Sequence, residues 1–292
     1  MRIRERGMSE LVVARDLSKS YGATRALDQV SFRIGAGRIV GLIGPNGAGK
    51  TTALKALLGL TRFDGELAVL GLDPWRQRHR LMQDVCFIAD VAVLPRWIRV
   101  RQLIDFVAGT HPRFRREICL QFLARTDVKP GSRIRELSKG MVTQVHLALV
   151  MAIDARLLVL DEPTLGLDIL MRKYFYETLL NEYFDQQRTI LVTTHQVEEV
   201  EHILTDLLFI DHGRIVLDAS MDAVQQEYAQ VAVRPEQAAA ARALGPLSER
   251  QGLGRVHMLF RGAAPADLEP LGEVGLPSVA DLFVAVIQGA RA

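Results

Sequence analysis

The sequence predicts an α/β protein organised on a parallel sheet, and three stretches carry that reading. Residues 38–43 form an apolar strand (Ile39, Val40, Leu42, Ile43) that runs straight into a glycine loop and then a helix. Leu157-Leu158-Val159-Leu160 is apolar throughout, as expected of a central parallel strand covered on both faces. Thr189 to Thr194 is a further apolar, β-branched strand, and it ends in His195.

The first of these stretches continues as Gly44-Pro45-Asn46-Gly47-Ala48-Gly49-Lys50-Thr51, with Thr52 behind it. This is the P-loop pattern of two glycines, then Lys and a hydroxyl. A triphosphate is a dense anion, so its pocket needs backbone N–H groups that point inward with no side chains in the way. Gly44, Gly47 and Gly49 permit that approach. Lys50 supplies a point charge for the β- and γ-phosphates, Thr51 a hydroxyl oxygen for Mg²⁺, and Thr52 a contact to the α-phosphate. The helix expected from Lys50 to Leu60 shows Ala53, Ala56, Leu57 and Leu60 on one face, and its positive end points at the phosphates.

The central strand ends in Asp161-Glu162-Pro163. Open α/β sheets place their ligands at the carboxyl ends of such strands. Asp161 suits a hydrated Mg²⁺, and Glu162 suits polarisation of the water that attacks a γ-phosphate. Leu137-Ser138-Lys139-Gly140-Met141 opens a helix through Val142, Val145, Leu149 and Ala152, with Ser138 as its N-cap. His195 is placed to hydrogen-bond a γ-phosphate, although a lone His at a strand end is more often structural. Between the strand-like stretches 11–13, 17 and 30–34 stands Tyr21-Gly22, an aromatic on a turn that can stack on an adenine ring.

Bulk properties narrow the classes. The 292 residues suit one large domain and a small appendage, with 49% hydrophobic and 24% charged residues. Thirty-six basic residues against 34 acidic ones give +2, so no global charge argues for nucleic acid. Cys86 and Cys119 lack metal-ligand spacing and read as reduced core thiols of a cytosolic protein. No apolar run approaches the ~20 residues of a membrane span. Met1 to Gly7 carries Arg2, Arg4 and Arg6 without a following hydrophobic region, so it is not read as a signal peptide, and Met8 offers an alternative start.

Taken together, the motifs between Leu11 and Asp218 resemble the nucleotide-binding subunit of ABC transporters. The resemblance implies a P-loop NTPase with a RecA-like core, an antiparallel β subdomain and a helical subdomain at about 90–150 within a cassette of residues 8–218. It leaves residues 219–292 as a small α+β accessory domain. It also implies that Tyr21 stacks on adenine, that Gly44 to Thr52 is the Walker A loop, and that Leu157 to Glu162 is Walker B. Leu137 to Met141 then stands at the signature, Leu167-Asp168 ends the D-loop, and His195 is the switch histidine. Members of the family pack two such subunits head to tail, in a homodimer or a heterodimer, so Ser138 and Gly140 are expected at the nucleotide of the opposing copy, and Asp168 is counted among the nucleotide-binding residues.

Departures from the family pattern fall at three places. Asp90 stands where a Gln is usual, and is expected as a metal-side ligand with a catalytic role beside Lys50, Glu162 and His195. Lys139 and Met141 occupy signature positions where Gly and Gln are commoner. Leu165 and Gly166 occupy D-loop positions where small polar residues are frequent.

The arginine-rich stretch after Asp90 (Arg96, Arg99, Arg101, Arg113, Arg115, Arg116) is expected to be helical, with Leu103, Phe106 and Val107 on its buried face. In the family this region docks a permease helix, and Leu94, Pro95, Arg96 and Trp97 are the residues expected at that contact. Further on, Met221 to Gln230 is expected to be helical, Arg255 to Phe260 a strand, and the segment around Leu282 to Val286 a closing amphipathic helix. The tail, with Asp281-Leu282-Phe283, resembles those of drug- and antibiotic-type exporters. The expectation is an ATP- and Mg²⁺-dependent ATPase on the inner face of the cell membrane that drives export through a separate integral-membrane permease, with no nucleic-acid partner. A soluble non-transport ATPase of the family and a regulatory nucleotide-binding subunit are the alternatives.

Overall fold

The computed structural model describes residues 10–89, 94–165, 167–185, 187–252 and 254–291; Asp90 and Gly166, singled out above, lie outside the described residues. The chain opens with β1 (Glu10–Tyr21) and β2 (Thr24–Gly35), an antiparallel pair turning at Gly22, whose φ is 58°. The short strand-like stretches of the sequence thus belong to two continuous 12-residue strands. Then come β3 (Ile39–Ile43), α1 (Lys50–Leu57), β4 (Asp64–Val69), the single turn α2 (Arg78–Leu81) and β5 (Val85–Ile88). Helices α3 (Val100–Thr110), α4 (Arg116–Leu123) and α5 (Lys139–Met151) follow, the expected helical subdomain. The chain returns through β6 (Leu157–Asp161), α6 (Ile169–Thr178), β7 (Thr189–Thr194), β8 (Asp206–Asp211) and β9 (Arg214–Ser220).

Among the described residues, the main sheet runs β5-β6-β7-β3-β8-β9. Its first five strands are parallel, and β9 returns antiparallel through a two-residue turn at His212 (φ 45°) and Gly213 (φ 75°), the positive-φ pair a tight hairpin demands. β4 adds to β1 on the side away from β2, which forms the antiparallel subdomain in the order β2-β1-β4. Strand alternation divides the core. Leu158, Leu160, Ile190 and Val192 face the helical side, whereas Leu157, Val159, Leu191 and Val40 face the layer made by α1 and the antiparallel sheet. A sheet covered on both faces explains why β6 reads as an unbroken apolar run.

Three local expectations are corrected. Helix α1 stops at Leu57 because Gly59 takes φ 63° and the N–H groups of Gly59 and Leu60 donate back to Ala56 O and Lys55 O, at 3.0 and 2.8 Å. This Schellman closure leaves Leu60 outside the core, 48% exposed. On α3 the buried stripe is Val100, Leu103 and Ile104, with Val107 packed beside it; Phe106 is 63% exposed. The i, i+3, i+4, i+7 set therefore starts at Val100, and Phe106 falls off its edge. The helix after Ser220 ends early, and its expected last turn begins a strand: α7 is Met221–Glu227 and β10 is Tyr228–Val233.

The remaining elements are α8 (Ala238–Arg242), β11 (Ser248–Gly252), β12 (Arg255–Arg261), α9 (Pro265–Leu268), β13 (Gly272–Gly275) and α10 (Val279–Arg291). Strands β11-β12-β10-β13 form an antiparallel sheet around a core of its own, with Val231, Met258, Phe260 and Leu268 buried. The closing helix α10 leaves that sheet and packs on the main core. Leu282 and Ala285 are fully buried there, Phe283 meets Phe209 edge-on at 5.1 Å, and Val279 N–H donates to Glu201 Oε1 at 3.0 Å.

Candidate nucleotide site

Strand order assembles the site. β7 lies between β3 and β6, with Ile43 beside Thr194 and Asp161 beside Thr193. Three chain segments far apart in sequence therefore end side by side at the carboxyl edge of the sheet: the glycine loop, the acid pair and His195.

The loop is shaped by its glycines. A Cβ on Gly44 would sit 2.3 Å from Ile210 O, and one on Gly49, at φ 112°, would sit 2.5 Å from Ala26 O. These two positions are closed to any side chain by packing. At Gly47, φ is 82° and no atom lies within 4 Å of the Cβ position, so that face of the loop opens outward. The loop is tied at Ala48, whose N–H donates to Pro45 O at 3.1 Å and whose carbonyl accepts from Gly213 N–H at 2.9 Å. Gly49 precedes α1, so the first turn of that helix faces the loop with its N–H groups.

Lys50 is buried, its Nζ donating to Gly44 O at 2.7 Å and Pro45 O at 3.3 Å, with Glu162 Oε1 at 4.0 Å. Burial pushes its pKa below the ordinary lysine range, while the charges of Glu162 and then Asp161 draw it back up. Thr51 Oγ1 donates to Asp161 Oδ2 at 3.4 Å, and Thr193 Oγ1 to Asp161 Oδ1 at 2.5 Å. Asp161 is 6% exposed, so its carboxylate is fixed from both sides.

Glu162 adopts φ 47°, a left-handed conformation rare outside glycine, and its N–H donates to Thr193 O at 3.1 Å. That turn places its carboxylate within 2.9 Å of His195 Nδ1. A residue held at such an angle costs roughly 1–2 kcal/mol, which the flanking strands and this contact sustain.

The structure thus brings together Lys50, Thr51, Asp161, Glu162 and His195 within one chain. Ser138 caps α5 as expected, accepting from Met141 N–H at 3.2 Å. The Cβ position of Gly140 is met by the Met171 side chain at 3.5 Å. Asp168 caps α6, accepting from Met171 N–H at 3.0 Å. Tyr21 is 48% exposed, with Lys19 Nζ over its ring at 5.1 Å. Among the described residues, no hydrogen bond joins Tyr21, Ser138 or Asp168 to residues 44–52. Thr193 joins the site without belonging to any sequence motif; it is one of three threonines on β7 and stands two residues before His195.

A strand, a glycine loop and a helix, faced by an acid pair on the second strand along, define a P-loop nucleotide-binding ATPase. The chain belongs to the ABC transporter ATP-binding family, whose model, described as ABC transporter, matches residues 27–165. It is 36% identical over 231 residues to Nod factor export ATP-binding protein I of Rhizobium sp. (strain N33), covering 74% of this chain and 74% of that protein. The protein of the same name from Sinorhizobium fredii (strain NBRC 101917 / NGR234) is 37% identical over 73% of this chain, and the match spans 63% of its length. Daunorubicin resistance ATP-binding protein DrrA2 of Streptomyces coeruleorubidus is 34% identical, over 73% of this chain and 68% of its own. A solved structure described as the ATP binding subunit of an ABC transporter superposes with a TM-score of 0.66 at 26% identity, covering 74% of this chain and 92% of the other.

Proposed function

We propose that this chain is the ATP-hydrolysing subunit of an exporter, working as a pair of subunits that close around ATP and act on a separate integral-membrane permease. The observation that carries the proposal is the convergence of Lys50, Thr51, Asp161, Glu162 and His195 at one sheet edge, with Glu162 and His195 in contact at 2.9 Å. Export is supported by the names of the relatives, Nod factor export and daunorubicin resistance proteins. No helix among the described residues is long and apolar enough to cross a membrane, which agrees with a permease on another chain and with a peripheral place on the inner face of the membrane.

The residues fit the groups they are proposed to hold. The outward-open face at Gly47 leaves space for phosphate oxygens. Lys50 Nζ now rests on two backbone carbonyls, neutral partners that an anionic phosphate outcompetes. Asp161 and Thr51 offer adjacent oxygens of the kind Mg²⁺ prefers, and the ion, when bound, neutralises charge on the phosphates. Glu162 orients the attacking water and accepts its proton, and His195, held by that carboxylate, reaches the γ-phosphate. Tyr21 stacks on adenine, while Thr52 and the loop backbone hold the α-phosphate. Ser138 and Gly140 meet the nucleotide of the opposing copy, which an exposed Ser138 at a helix N-terminus supports, and Asp168 contributes to nucleotide binding from the D-loop. Leu94 to Trp97, with Trp97 72% exposed, contacts the permease, and residues 219–292 serve as an accessory unit to the cassette of residues 8–218.

Phosphate release from the purified protein with ATP and Mg²⁺ tests the assignment. Glu162→Gln is expected to slow turnover by about two to four orders of magnitude while ATP still binds. Turnover within about twofold of the parent would remove Glu162 from the chemistry.

A further inference from the structure

Behind the contact between Glu162 and His195 lies a second layer of polar contacts centred on Arg172. This residue is on the first turn of α6, 23% exposed, and its guanidinium engages three acceptors. Nε donates to Leu167 O at 2.7 Å, and Nη1 donates to Gln196 Oε1 at 3.0 Å and to Glu199 Oε1. Glu199 is as enclosed as its partner, 22% exposed, and its second oxygen accepts from Thr164 Oγ1 at 3.2 Å. The Thr164 hydroxyl is also 3.3 Å from the buried Tyr176 hydroxyl on α6.

The chain order of these partners gives the layer its meaning. Thr164 and Leu167 belong to the segment that leaves Glu162; Gln196 and Glu199 belong to the segment that leaves His195. The sheet ladder holds the two segments together only up to Asp161 and Thr193. Beyond that pair, apart from the bond from Glu162 N–H to Thr193 O, no backbone ladder keeps the two segments in register. Arg172 bridges them with the planar fork of donors that a guanidinium alone provides. It touches a backbone carbonyl on one side and two side chains on the other, and it does not touch the site residues themselves.

We propose that Arg172 is a positioning residue for hydrolysis: it clamps the segment after Glu162 to the segment after His195, so that the two catalytic side chains stay in the geometry seen here. The inference rests on the roles proposed for Glu162 and His195. With the clamp intact, ATP binding depends on the glycine loop, and the clamp is felt in the chemical step. Removal of Arg172 therefore lowers kcat and leaves KM for ATP unchanged.

The test measures phosphate release and ATP affinity for Arg172→Met, Arg172→Lys and Glu199→Gln at a temperature where circular dichroism shows each variant folded. Arg125→Met serves as the control, since Arg125 pairs, among the described residues, with exposed Glu182. The expected result is a fall in kcat of about tenfold to a hundredfold for Arg172→Met, with KM within about twofold of the parent. Arg172→Lys, which keeps the charge but loses the fork, is expected to recover part of that loss, and Glu199→Gln to show a smaller fall. An Arg172→Met enzyme with kcat within about twofold of the parent would overturn the proposal, as would equal losses in kcat and in ATP affinity. Should Arg172→Met not fold, Arg172→Lys and Glu199→Gln decide, and parental kcat in both counts against the clamp. Glu162→Gln in the same series separates the two levels. If it leaves turnover intact, the site assignment fails; if it abolishes turnover while the Arg172 variants keep the parental kcat, the clamp alone fails.

Discussion

At the scale of single residues, the site is held by positions where one atom more would not fit. Gly49 has both a positive φ of 112° and a backbone oxygen 2.5 Å from its Cβ position, whereas Gly47 has the positive φ of 82° alone. Gly49→Ala is therefore expected to destabilise the protein by at least ~2 kcal/mol, and Gly47→Ala by roughly 1 kcal/mol. Urea denaturation of the two variants checks the order, and equal losses would show that packing at Ala26 yields. The loop motif was legible as a motif because phosphate chemistry demands glycines there. Which glycine is closed by packing was not, since Ala26 and Ile210 approach from strands distant in sequence. The cysteines behaved as expected of core thiols: burial pushes both Cys86 and Cys119 up to about 12, far from reactivity.

At the scale of elements, α5 shows how tertiary contact changes a helix that sequence presents as one-sided. Its buried set includes Thr143, Val145, Leu147, Ala148, Leu149 and Val150, more than one stripe, because α4 and the main sheet enclose it. His146 lies among them, and burial depresses its pKa from 6.5 to about 4. The unfolded chain then binds a proton below pH 6.5 that the folded chain refuses until about pH 4. Stability is expected to fall by on the order of 3 kcal/mol as pH drops through that window, and to be fully retained above it. His146→Gln should flatten the loss between pH 7 and pH 4.5 in denaturant midpoints; an unchanged slope would place the titration elsewhere. Asp154, whose carboxyl is held low first by its hydrogen bond to Arg188, acts only below its ordinary value of 3.8, so the two effects separate on the pH axis.

At the scale of the whole molecule, the carboxyl-terminal segment is tied back to the ATPase core. The antiparallel sheet β11-β12-β10-β13 has its own small core, but α10 inserts Leu282, Ala285 and Phe283 against Phe209 and its neighbours on the main sheet. Leu282→Ala is expected to destabilise the cassette itself by about 2–5 kcal/mol, the usual range for a fully buried leucine. Thermal unfolding followed with bound nucleotide would check it, since a tail that merely hangs on the core would leave the nucleotide-dependent transition unmoved. The same packing joins the carboxyl-terminal segment to β8, which neighbours the glycine-loop strand β3.

The chain's own order of residues carried the proposed chemistry: a glycine loop with its lysine, an acid pair at one strand end and a histidine at another each form a local pattern that physical chemistry makes recognisable over a few residues. Sequence also determined the main strands, because burial on both faces leaves an apolar run. Only the tertiary structure decided what meets what. That β7 lies between β3 and β6, that Thr193 braces Asp161, that Glu162 turns through a left-handed angle toward His195, and that Arg172 grips two loops at once are consequences of strand order and packing. Such contacts join residues tens to over a hundred positions apart, and no periodicity within a segment encodes which distant segment will lie beside it.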